Sequence, residues 1–143
     1  MSDGMMEMYQ NNALIKVMAS AYKKCQRTEI FDDLINSLAE GIMFDSDAYT
    51  LIKEYPSGRC EQGILVDEEG FKWVPVFTSL NEAVKAGMDD NAEVFSIGAI
   101  IDTAYDFDEF DGVIINPCSD DVCLNKDDLD QLMDLLMNGG AAA

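Results

Sequence analysis

The chain has no histidine among its 143 residues. That removes the commonest general base near neutral pH and the commonest transition-metal ligand, so Ser-His and Cys-His hydrolase chemistry and His-built zinc centres are set aside. Basic residues are scarce too: 9 Lys plus Arg stand against 28 Asp plus Glu, for a formal charge of -19. A field of that sign repels phosphate backbones and anionic lipid, so neither nucleic acid nor a membrane surface is an expected partner. No apolar run approaches the ~20 residues that a spanning helix needs, and Met1 to Gln10 shows no basic region followed by an apolar stretch. The expectation is a cytoplasmic protein. The cysteines, Cys25, Cys60, Cys118 and Cys123, are few and scattered, which suits reduced thiols better than a disulfide framework.

What is present suffices for one core. With 48% hydrophobic residues the chain reads as a single domain over 11–137, with flexible ends at 1–10 and 138–143. Leu14, Val17, Met18, Ala21, Tyr22 and Cys25 fall on one helical face, with Asn11 or Asn12 as cap. Ile30, Phe31, Leu34, Ile35 and Leu38 form a second stripe, with Thr28 as its cap and Gly41 as its stop. Short apolar or β-branched runs follow: 42–44, 49–52, 63–66, 71–77, 94–101 and 112–116, separated by turn residues such as Asp67-Glu68-Glu69-Gly70. Pro75 points to an edge or a bulge, since proline cannot donate to a ladder. Ser79 and Glu82 have capping-box spacing before a short helix, and Asn125 caps a last amphipathic helix carrying Leu129, Leu132, Met133 and Leu136. The pattern predicts an α+β fold: a mixed sheet of about five strands packed against helices, two of them N-terminal and one C-terminal.

The segment Val74-Pro75-Val76-Phe77-Thr78-Ser79, followed by a short acidic helix and then by Gly112-Val113-Ile114-Ile115-Asn116-Pro117, resembles the N-terminal domain of the SseB family. The order of these motifs matches over roughly 11–137. The resemblance implies two opening helices, a sheet and a closing helix, and no established catalytic residues; no cofactor is expected. The Cys118-Ser119-Asp120-Asp121-Val122-Cys123 loop departs from a typical member.

Candidate chemistry is sparse. Cys118 and Cys123 are wider apart than a Cys-x-x-Cys pair, and no second pair matches them. The acidic stretch Asp102, Asp106, Asp108, Glu109, Asp111 invites a calcium reading, but from Asp106 the sixth position is Asp111 instead of glycine and the twelfth is Pro117 instead of glutamate. A solvated loop between two strands is the plainer expectation, and no metal or catalytic residues are assigned. Phe71, Trp73 and Phe77 alternate along one strand, which is ordinarily a core arrangement. The alternative is an exposed aromatic anchor for a partner. The leading expectation is therefore a non-catalytic protein-interaction or regulatory module. Its partner contacts would come from Trp73, Phe77, Asp106, Asp108, Glu109 and Asp111, its partner would be a protein, with the acidic surface suiting a basic one, and a homo-oligomer is also open. The rival is a small-molecule or divalent-cation domain, or an enzyme, using loop carboxylates.

Overall fold

The computed structural model describes residues 3–138; the first two residues and 139–143 of the expected tail lie outside the described residues. Five α-helices and seven strands follow in the order α1 (Asp3–Cys25), α2 (Thr28–Met43), β1 (Asp47–Glu54), β2 (Cys60–Gln62), β3 (Leu65–Val66), β4 (Lys72–Val76), α3 (Leu80–Lys85), β5 (Ala92–Ser96), α4 (Ile97–Asp106), β6 (Gly112–Ile115), β7 (Val122–Asn125) and α5 (Lys126–Met137), with a short 3-10 turn at Asp89–Asn91. The α+β class is as the pattern predicts. The strands divide into two sheets, ordered β2-β1-β5 and β3-β4-β6-β7.

One bridge joins them. Tyr49 and Phe77 exchange backbone hydrogen bonds of 3.0 and 2.8 Å, so β1 meets the end of β4 and a run β5-β1-β4-β6-β7 spans the molecule. Within it β4 and β6 are parallel, while β1–β5 and β6–β7 are antiparallel. Pro75 sits beyond the two β4 residues that β3 pairs, and its carbonyl accepts from Thr50 Oγ1 at 2.7 Å. The missing N–H thus falls where the β3 pairing has ended, although β4 lies inside its sheet between β3 and β6 and is not an edge strand.

The main core lies between one sheet face and the helices. Ala48, Val74, Val76, Val113, Ile115 and Leu124 supply the sheet side; Ile15, Leu34, Leu38, Ile97, Ile101, Leu129 and Leu132 supply the helices. A smaller cluster of Leu51, Phe77 and Ala83 closes part of the opposite face under α3. Gly112 opens β6 against β7, where a Cβ would stand 2.0 Å from the carbonyl oxygen of Leu124.

Several local expectations are corrected. Gly41 does not stop α2, which runs to Met43; its bare backbone lets Ile15 and Ile97 approach, with a Cβ there 3.4 Å from Ile15. The 42–44 run is therefore the helix end and not a strand. Arg27 occupies the N-cap position of α2 without a side-chain cap, and Thr28 is its first residue. Asn12 lies inside α1, and its amide crosses to the carbonyls of Asp47 (2.7 Å) and Thr78 (3.1 Å). Ser79 makes no side-chain cap, because the Glu82 amide donates to the Ser79 carbonyl at 3.1 Å, and the reciprocal bond is lost as the Glu82 carboxylate turns to Lys16 and Ser119. The 94–101 run splits at Ser96, whose hydroxyl accepts from the Ala99 amide at 3.2 Å and starts α4. Asp102 and Asp106 are helical in consequence, and only 107–111 forms the connection to β6.

Candidate functional site

The helical layer does not cover the whole sheet. β5 has no buried residue, whereas every residue of β6 is buried. Beside α4, Thr50 and Ile52 of β1, Gln62 of β2 and Phe95 of β5 are left as the floor of a recess of about 260 Å3, with Ala99 and Thr103 of α4 forming one wall. Glu61, Gln62 and Thr103 also border a second recess of about 640 Å3, which runs on past Ile64 to Phe107, Glu109 and Phe110. The two form one groove between α4 and the β1–β2 hairpin. Its size lies in the range of ligand and peptide clefts.

Local chemistry fixes both banks. The Gln62 side-chain amide donates to Thr50 Oγ1 (2.9 Å), to the Leu51 carbonyl (3.0 Å) and to its neighbour's, that of Gly63 (3.0 Å), which clamps β2 to β1. Tyr55 donates to Glu61 Oε2 at 2.8 Å, and Arg59 pairs with the same carboxylate. The Tyr55 hydroxyl first, and then Arg59, hold the Glu61 carboxyl below its ordinary range, and Arg59 and Lys53 bring positive charge to the same rim. On the other bank Lys126 donates to the carbonyls of Tyr105 (2.7 Å) and Phe107 (2.9 Å), satisfying the open C-terminal end of α4. Phe107 remains 54% exposed and packs edge-on against Phe110 at 6.2 Å. Burial, with the Asp106 charge behind it, pushes the Asp102 carboxyl up.

The residues singled out from the sequence scatter. Glu109 borders the groove, and Asp106 and Asp108 are exposed at and after the end of α4. Asp111 is a clamp: its carboxylate accepts from the Lys72 amide at 2.7 Å while its own amide donates to the Lys72 carbonyl at 2.8 Å. Trp73 is half-buried and donates from Nε1 to Asp67 Oδ2 at 3.0 Å. That bond, together with the Phe71 and Glu69 amides, holds Asp67 below the usual carboxylate range. Trp73 and Asp111 share a separate recess of about 370 Å3 with Phe71 and Lys126. Phe77 is fully buried, so it belongs to the core. The three aromatics do not share one environment: Phe71 is exposed, Trp73 intermediate and Phe77 enclosed.

A polar cluster that sequence reasoning missed lies at the carboxyl ends of the parallel strands β4 and β6. Lys16 of α1 pairs with Glu82 Oε1 (2.7 Å) and Asp120 Oδ2 (3.1 Å); both carboxylates are almost wholly buried. Asn116, in the left-handed region at φ 46, donates to Asp120 (2.8 Å) and to Thr78 Oγ1 (3.0 Å), and accepts from the Thr78 amide (3.0 Å). Ser20 donates to Asp120, and Ser119 donates to Glu82 at 2.5 Å. Burial opposes the charge on Glu82 and on Asp120, but these partners more than offset it and hold both carboxyls below their ordinary range. Burial opposes the Lys16 charge as well, and Glu82 and Asp120 outweigh it and raise the ammonium. The donors and acceptors face one another, which makes the cluster a latch of α1 onto the strand ends. The signal that could have found it is Lys16 interrupting the apolar run 13–19 of α1, together with the Asn-Pro step that follows β6.

Fold and groove together define a two-layer α+β domain with an uncovered sheet end beside one helix. No family model, no curated protein and no solved structure matches the chain. Among the described residues no helix is long and apolar enough to cross a membrane, and no group of three or more His, Cys, Asp or Glu side chains is placed to hold a metal ion.

Proposed function

We propose that this protein is a cytoplasmic, non-catalytic interaction module of SseB-like type, and that it takes a basic protein partner in the groove between α4 and the β1–β2 hairpin. The observation that carries the reading is the uncovered sheet end: an apolar floor of Ile52 and Phe95 continues toward Phe107, with Glu61 and Glu109 along it. Apolar surface of this kind gains by being covered, and Glu109 with the exposed Asp106 and Asp108 near it favours a cationic occupant, against Lys53 and the Glu61-paired Arg59 on the hairpin bank. The net charge of -19 acts in the same direction at longer range. The SseB-like assignment rests on the order of the 74–79 and 112–117 motifs. The divalent-cation alternative has less support, since the acidic side chains of 102–111 diverge between a helix, a clamp on Lys72 and the groove rim.

The test is capture from native lysate with the intact chain and with Ala99→Arg, which places a cationic side chain in the groove at an exposed helical position. A protein retained by the intact chain, released by raised salt and lost with Ala99→Arg is the expected result. Retention of the same proteins by both forms would remove the groove from the account.

A further inference from the structure

β5 ends its sheet. Among the described residues it pairs with β1 alone, in the register Ala48↔Phe95 and Thr50↔Glu93, and the Ile97 amide continues the series to the Ser46 carbonyl at 2.7 Å. Tyr49 bonds to Phe77 and Leu51 to Gly63 on the opposite side of β1, so Glu93 and Phe95 are the β5 residues whose backbone turns inward. By the alternation of an antiparallel ladder, the N–H and C=O of Val94 and the C=O of Ala92 turn off the edge. The Ala92 N–H is already spent on the Asp89 carbonyl. Such an edge is a template for another strand unless something blunts it, and β5 has no proline, lysine or arginine. Both of its faces are open, with Val94 51% and Phe95 43% exposed.

We infer that the outer edge of β5 takes up an extended segment of the basic partner as an added strand. The inference rests on the interaction reading above and deepens it by naming the bound conformation. Charge selects the occupant. Glu93 is the one acidic side chain on β5, Asp89 and Asp90 lie just before it, and the exposed Asp47 stands opposite Ser96. A second copy would bring these carboxylates edge to edge, with -19 on either side. A segment alternating apolar and basic residues instead sets an apolar side chain beside Val94 and an ammonium beside Glu93. Its main chain bonds to Val94, and its basic side chains, on the face that Glu93 shares with Phe95, lay their aliphatic stems at the Phe95 end of the groove floor.

The experiment uses a labelled synthetic peptide of alternating valine and lysine, with a valine–glutamate peptide and a form N-methylated along one backbone edge as comparisons. Binding is followed by fluorescence anisotropy, and exchange at the Val94 amide by NMR. The lysine peptide is expected to bind, to weaken with salt and to slow exchange at Val94. Val94→Pro, which removes an outward N–H without touching the β1 ladder, and N-methylation of the peptide should each weaken binding about tenfold, while Val94→Thr stays near the parent. If Val94→Pro does not fold, the methylated peptide on the unaltered protein decides. Binding that is indifferent to both changes but lost in Ala99→Arg overturns strand addition and leaves the groove reading standing. Failure of the lysine peptide to bind while Ala99-dependent capture persists overturns it equally. A dimer that Val94→Pro dissolves assigns the edge to a second copy and overturns the basic occupant.

Discussion

Lys16 stands between two carboxylates that water barely reaches, and that position sets what its loss would do. Lys16→Met leaves Glu82 and Asp120 buried and facing each other. Breaking a buried ion pair costs more than the pair contributes, but Lys16 is itself partly exposed, so water screens it; the loss should be roughly 1–3 kcal/mol in urea unfolding at neutral pH. The pH dependence carries the sign. Both carboxyls are lowered in the folded chain, so their contribution is present above the ordinary carboxylate pKa of about 4 and is lost as pH falls through the lowered values. Lys16 is raised, so its contribution is present below about 10.4 and is lost as pH climbs through its raised value. The urea midpoint of the parent should therefore fall at both extremes, and that of Lys16→Met should fall less steeply at both. Phe77 is a second residue whose environment decides its role. Being fully buried between Leu51 and Ala83, it should cost about 3–5 kcal/mol when truncated to alanine, read by chemical denaturation. Trp73→Ala, at a half-buried site, should cost less.

At the scale of elements, α5 is the most self-contained piece. Asn125 accepts from the Asp128 amide at 2.9 Å and Asp128 accepts from the Asn125 amide at 3.0 Å, a reciprocal cap, while Asp127 and Asp128 favour the positive end of the helix. Asn125→Ala should lower stability by about 1 kcal/mol, measured by thermal unfolding. This helix was legible because its cap, charges and apolar stripe all lie within a dozen residues. α4 was not: Val94 to Ile101 is one apolar run, and periodicity alone cannot say where a strand becomes a helix inside it. Ser96 was the available signal, as a cap directly before Ile97. The Ser79 box failed for a different reason. A partner far away in sequence, Lys16, competes for Glu82 more strongly than the local amide does. The same long range hid the latch, whose Lys16–Asp120 contact spans 104 residues, and the groove, which exists only because α4 leaves β5 uncovered. Pro75 points to an edge or a bulge, yet β4 is an interior strand; proline fits there because the β3 pairing stops at Trp73, a limit set by the rest of the sheet and not by local sequence.

The whole molecule carries a charge of -19, and self-repulsion of that size works against the compact state. Raising salt from low to physiological ionic strength should therefore increase the melting temperature, in calorimetry of the full chain, even though the Lys16 ion pairs alone would respond in the opposite direction. An unchanged or lower melting temperature would mean that local pairs outweigh the global field. The same field and the uncovered sheet end make the central claim one about a surface. It is tested most directly by adding the protein retained in capture to the 15N-labelled chain and mapping the backbone amides that shift. Shifts should concentrate at Thr50, Ile52, Phe95, Ala99 and Thr103 and fall away in the salt that releases the partner. Shifts centred on Phe71, Trp73 and Lys126, or on the latch at Lys16 and Asp120, with the groove silent, would contradict it.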